Sequence, residues 1–252
     1  MLGSISAPTL RRNFSTAIAG KLERIASVLP HKDAISYTTV AETGIVKWTF
    51  SDVNRYADAF AAGLTESDFH AGDKLATWLP AQSRELLVAQ FAADKIGLLL
   101  VEVDVALAHG EALRDILNDT RAKGLLFDDA LIRDGSSTAV VLEKALSELN
   151  AGSRYDNQYG VPFRSRAVPS MKLVMHTGLE RRQGMQNMKY MMTYNPLPAV
   201  HPVQGIADDS PLSLVYQADG PILGPVAAEG ALAFPSWSNV AMMLQKQYVT
   251  IE

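Results

Sequence analysis

The chain has 252 residues, 48% hydrophobic and 20% charged, with no cysteine and a formal net charge of -4. That length can bury a sizeable core, and the acidic balance argues against a DNA partner and leaves ribosomal RNA a minor alternative. Without cysteine there are no disulfides, thiolate metal sites or cysteine nucleophiles.

In chain order, residues 1–14 carry Arg11 and Arg12 after Ser4, Ser6 and Ala7, and no acidic residue precedes Glu23. This is the make-up of a mitochondrial transit segment, with "RRNFST" resembling a processing site; an N-terminal arm is the alternative. Ile18, Leu22, Ile25, Ala26 and Leu29 recur at helical spacing. "DAISYTTV" and "IVKWTF" read as a hairpin, with Gly44 in its turn. Thr49 is placed to cap a helix whose inner face is Val53, Tyr56, Phe60 and Leu64, with Asp52 completing the cap. "AGDKLATWLP" predicts a strand, Ser83 to Lys95 a helix, "GLLLVEV" a strand, "GEALRDILNDTRA" a helix, "KGLLFDD" a strand and "AVVLEKALSELN" a helix. Such alternation predicts a three-layer α/β fold with a mainly parallel sheet flanked by helices. Residues 150–169 read as a long loop, "MKLVMHTG" as a further strand and "MQNMKYMMTY" as a short helix. Its Met185, Met188, Met191 and Met192 are core filler by spacing, with no histidine or cysteine beside them to suggest a soft metal. "LSLVYQ" reads as a buried strand, and "PSWSNVAMMLQKQYVTI" as a closing helix. The longest apolar run, Ile96–Val101, is far short of the ~18 residues that span a bilayer.

The order of these signals resembles the N-terminal region of the AMP-forming acyl-CoA synthetases, the adenylate-forming ligase superfamily. The residues that carry the likeness are Thr49 to Val53, Gly72-Asp73-Lys74, Leu79-Pro80, Glu85 and Gly97, then "EALRDILNDTRAKGLLFDD" and "VPSMKLVMHTGLERRQGM". The resemblance spans about residues 20–245 and implies one degenerate synthetase-like domain over residues 15–252.

In that family the strand "LSLVY" would lead into a phosphate loop of the form YTSGTTGKPKGV, where backbone amides, hydroxyls and a lysine hold ATP. Here Gln217 to Val226 reads "QADGPILGPV", and no lysine or arginine follows before Lys246. It contains no hydroxyl. Asp219 brings a negative charge to a polyphosphate position, and Pro221 and Pro225 each remove an amide donor. The resemblance implies that the family's ribose- and magnesium-binding positions, and the catalytic lysine of its C-terminal domain, lie beyond residue 252. The resemblance therefore implies a chain without catalytic, cofactor-binding or metal-binding residues, and not an enzyme.

The remaining candidates are weak by spacing. His31, His70, His109, His176 and His201 are scattered and read as surface or capping residues. Asp128-Asp129 and Asp208-Asp209 suit turns and caps; Arg164 to Arg166 and "ERRQ" at Glu180 to Gln183 read as solvated loop charge. The expectation is a repurposed, non-catalytic accessory subunit on the matrix side of mitochondria, its partners being other subunits of a large assembly. A respiratory complex such as cytochrome c oxidase or ATP synthase fits best. Alternatives are a residual acyl- or nucleotide-binding protein, and a ligase half completed by another chain.

Overall fold

Helix α1 (Ile18–Val28) buries Ile18, Ala19 and Leu22 and leads into strands β1 (Asp33–Thr38) and β2 (Ile45–Thr49), which pair antiparallel. Described by the computed structural model are residues 18–38, 45–81, 83–105, 110–129, 132–133, 136–147, 164–179, 182, 184–193, 211–217, 220–221, 226–227, 240, 243–244 and 249–251. The proposed transit segment, the turn at Gly44 and the long loop before residue 164 lie outside them.

Strand β2 runs straight into helix α2 (Phe50–Glu66), and the change of backbone is held by the predicted cap. The Asp52 amide donates to Thr49 Oγ1 at 3.2 Å and the Thr49 amide donates to Asp52 Oδ2 at 3.0 Å. Two amides that the helix itself cannot pair are thereby satisfied. Val53, Phe60 and Leu64 are buried as expected, and Tyr56 packs at the core's margin. Thr49→Ala is expected to cost about 1 kcal/mol, read as a lower urea midpoint at unchanged slope.

The alternation then unfolds as β3 (Lys74–Trp78), α3 (Arg84–Ile96), β4 (Leu99–Val103), α4 (Gly110–Thr120) and β5 (Gly124–Phe127). A small hairpin of β6 (Ile132–Arg133) and β7 (Ser136–Ser137) precedes α5 (Thr138–Ala145). Then follow β8 (Leu173–His176), β9 (Gln186–Asn187), α6 (Met188–Thr193), β10 (Pro211–Gln217), β11 (Gly220–Pro221), β12 (Val226–Ala227) and β13 (Val249–Ile251). Helix α3 begins on a Ser83 cap and stops at Gly97, whose φ of 72° is the left-handed conformation glycine adopts without Cβ penalty.

Five strands form the parallel body of the sheet, in the order β10-β4-β3-β5-β8. Strand β9 extends it in parallel, and β11 and β12 pair antiparallel with β10. Because side chains alternate across a strand, the sheet divides the core in two. Leu75, Leu100, Leu126 and Met175 pack with α1, α2, α3 and α6; Ala76, Trp78, Val101, Leu125, Phe127 and Val174 pack with α4 and α5. This is the predicted three-layer α/β arrangement. The four methionines are core residues: Met188, Met191 and Met192 on one side of the sheet, Met185 on the other.

Helix α3 is buried on every side from Leu86 to Ile96, its polar residues included. Such burial requires partners. Asp94 Oδ2 accepts the Ala19 amide at 2.6 Å and so caps the first turn of α1. Lys95, 0% exposed, lies 2.6 Å from Glu23 Oε1 on α1 and 2.9 Å from Asp58 Oδ1 on α2. Three helices are thus tied by one buried cation.

The closing segment departs from expectation. Val240, Met243 and Leu244 are helical, but Val249–Ile251 are extended and pair in parallel with β1, Ile35 against Val249. Val249, Thr250 and Ile251 are all β-branched and favour a pleated surface over a helix. No helix among the described residues is long and apolar enough to cross a membrane.

Candidate functional site

In open parallel sheets, ligands sit outside the carboxyl ends of the strands. Here that edge is formed by Trp78, Val103, Phe127, His176 and Gln217, the last residues of β3, β4, β5, β8 and β10.

At one side of it, β10 runs parallel to β4 with Tyr216 opposite Val103, and then reverses into β11, Gln217 against Gly220. The strand expected to lead into the phosphate loop is present as β10 and ends at this edge. Pro221, one of the two prolines singled out above, belongs to β11. The segments holding Asp219 and Pro225 lie outside the described residues, as does Ser236 to Asn239 of the "SWSNV" helix start.

On the other side of the sheet, Trp78, Phe127, His176 and Asn187 stand in register across β3, β5, β8 and β9. His176 is fully buried, with its ring 6.4 Å from that of Phe127. This corrects the reading of His176 as a surface or capping residue: β8 is paired on both edges and covered on both faces, and a residue at its end inherits that burial. Neither ring nitrogen has a hydrogen-bond partner. Burial pushes the imidazole below its ordinary pKa; the Asp129 carboxylate opposes this, and the Arg182 and Lys189 charges reinforce it.

Beyond the ends of β8 and β5, Arg182 Nη2 meets Asp129 Oδ1 at 2.6 Å. The expectation of solvated charge at Arg182 is therefore corrected, since a carboxylate at the end of β5 holds it. Asp128 closes the neighbouring turn: its carbonyl accepts from Thr138 Oγ1, and its carboxylate from Thr177 Oγ1 at 3.2 Å. Asn187 Nδ2 donates to the Gly178 carbonyl at 2.7 Å. At Gly178 a Cβ would stand 2.5 Å from Asp129 Oδ2 and 3.0 Å from its Cβ, so glycine permits the two loops to approach.

The cluster holds a carboxylate, a guanidinium and a neutral imidazole, but no hydroxyl bonded to that imidazole, so it lacks the geometry of an activated nucleophile. Among the described residues no group of three or more His, Asp or Glu is placed to hold a metal. Of the other candidates, His31, His70, Arg164 and Arg166 are exposed, and His109, His201, Glu180, Arg181, Gln183 and Asp208-Asp209 lie outside the described residues. Sequence reasoning passed over Trp78, whose buried Nε1 also finds no acceptor; its place before Pro80 at a strand end was the available signal.

Comparison with known proteins converges on one superfamily. Acetoacetyl-CoA synthetase from Streptomyces lividans superposes with a TM-score of 0.67 at 16% identity, covering 93% of this chain and 38% of that one. The anthranilate CoA ligase AuaEII, solved with anthranoyl-AMP, gives 0.60 at 18% identity over 86% of this chain and 34% of its own. A fatty acyl CoA synthetase of Mycobacterium tuberculosis gives 0.55 at 18%, over 81% and 33%. At such identities the likeness is one of fold, and the chain spans about a third of the length of each of these synthetases. A search of curated proteins found no significant match. The profile of the family described as AMP-binding enzyme matches residues 22–198, and the chain belongs to that family.

Proposed function

We propose that this chain is a non-catalytic member of its family, serving as an accessory subunit of a mitochondrial multiprotein assembly, with a respiratory complex such as cytochrome c oxidase or ATP synthase the first to test. The observation that carries the non-catalytic part is the composition of Gln217 to Val226: no hydroxyl, no lysine, one aspartate and two prolines. These follow β10, the strand that the family resemblance marks as leading into the phosphate loop. A polyphosphate there would meet an extra negative charge and two missing amide donors. The mitochondrial part is supported by the basic, acid-poor residues before Glu23.

Two measurements test the two parts separately. Exchange of labelled pyrophosphate into ATP, run with a panel of short, medium and aromatic acids, is expected to stay at the level of the blank; acid-dependent exchange would restore an enzyme. On a native gel of gently solubilised mitochondria, the endogenous chain is expected to migrate within a large complex whose members mass spectrometry identifies. Migration as a free monomer, or absence from mitochondria, would sink the subunit reading.

A further inference from the structure

The cluster at the ends of β5 and β8 does no work in the function proposed above, yet it is unusual. A fully buried imidazole, unbonded at both nitrogens, ends β8; two residues on, Gly178 packs against Asp129, whose ion pair with Arg182 ties two loops together. We propose that His176 is an acid-sensitive latch: once protonated, its ring competes with Arg182 for Asp129 and loosens the segment that follows β8.

A neutral imidazole tolerates this setting because burial costs a neutral ring little. An imidazolium cannot, for a buried charge needs a counterion. Among the described residues, the charged groups that bear on the ring are Asp129 beyond β5, Arg182 beyond β8 and Lys189 on α6. Strand β9 adds only uncharged Gln186 and Asn187. Helix α5 turns Val141 and Leu142 into the same side of the core, leaving Glu143 half-buried and Lys144 exposed. Asp129 is thus the carboxylate that bears on the ring, and the guanidinium already holds it at 2.6 Å. Two cations then share one carboxylate, while Lys189 repels the charged ring. The Asp129–Arg182 bond ties the segment after β8 to the end of β5, so weakening it frees that segment at one of its anchors. The bonds from Thr177 to Asp128 and to the Phe127 carbonyl, and from Asn187 to the Gly178 carbonyl, remain in place.

The direction in pH follows from linkage. Above the ordinary histidine range of about 6.5 the ring is neutral folded and unfolded, and the latch is closed. As pH falls through that range the unfolded chain takes the proton first, because the native ring resists it. The native state therefore loses stability on acidification, and local opening at the latch precedes global unfolding.

Hydrogen exchange of the full chain, corrected for the intrinsic pH dependence of amide exchange, tests this. Peptides covering Thr177, Gly178 and Met185 to Asn187 are expected to exchange at least about threefold faster at pH 5 than at pH 7.5 in the wild type. His176→Phe, and His176→Gln should the first fail to fold, are expected to abolish that ratio. Arg182→Gln should already exchange fast at pH 7.5. A wild type with no acid response, or an acid response that survives in the folded His176 variant, overturns the proposal.

Discussion

Lys95→Met is expected to destabilise the chain by about 3–5 kcal/mol, toward the lower figure. The wild-type ammonium is wholly buried and faces Glu23 at 2.6 Å and Asp58 at 2.9 Å. Removing it leaves two carboxylates facing one another with no cation between them. Their side chains keep 20% and 15% exposure, so some hydration remains and moderates the loss. What costs stability here is the uncompensated charge more than any intrinsic strength of the ion pair. Adding Glu23→Gln and Asp58→Asn to Lys95→Met should therefore recover most of the loss. Urea unfolding of the single and triple variants measures both effects. A single variant within about 1 kcal/mol of the wild type would mean that the charges separate freely into water, and that α1 is held by its apolar face alone.

The second large effect is at Trp78. Trp78→Ala should cost about 3–5 kcal/mol, the usual result of emptying a large aromatic site in a closed core. The indole is 1% exposed and stands in register with Phe127, on the side of the sheet covered by α4 and α5. Trp78→Phe should behave differently, costing less than about 1.5 kcal/mol. It loses volume, but it also removes a buried N–H that has no acceptor, and an unsatisfied donor carries a penalty of its own. Thermal unfolding followed by far-UV circular dichroism separates the two. A loss of about 3 kcal/mol in Trp78→Phe itself would show that the N–H is satisfied in solution.

What the residues disclosed in advance was the local physics. Thr49 and Asp52 stand three apart, so their cap could be read directly, and the alternation from β3 to β5 follows from periods of two and of 3.6 residues. Long-range effects were hidden. Asp94 and Lys95 look like part of a solvated helix face, and only the arrival of α1, some seventy residues earlier in the chain, buries them. His176 carries no local mark of burial; its environment is assembled by β5, β9 and the loop bearing Arg182. The phosphate-loop segment is the reverse case. Its chemistry could be judged from composition alone, because the missing hydroxyls and lysine are missing in any conformation.

The parallel pairing of β1 with β13 has a consequence for how the molecule is made. Ile35 meets Val249, so this contact waits until Val249 has been synthesised, roughly 10–40 s after Ile35 at ordinary elongation rates. The β1–β2 hairpin is local and forms early. During that interval one edge of β1 presents unpaired backbone amides and carbonyls to whatever is near. The nascent chain's first hairpin is thus its most exposed template for wrong strand addition. A holding chaperone that covers residues 33–38 until β13 emerges would protect that open edge.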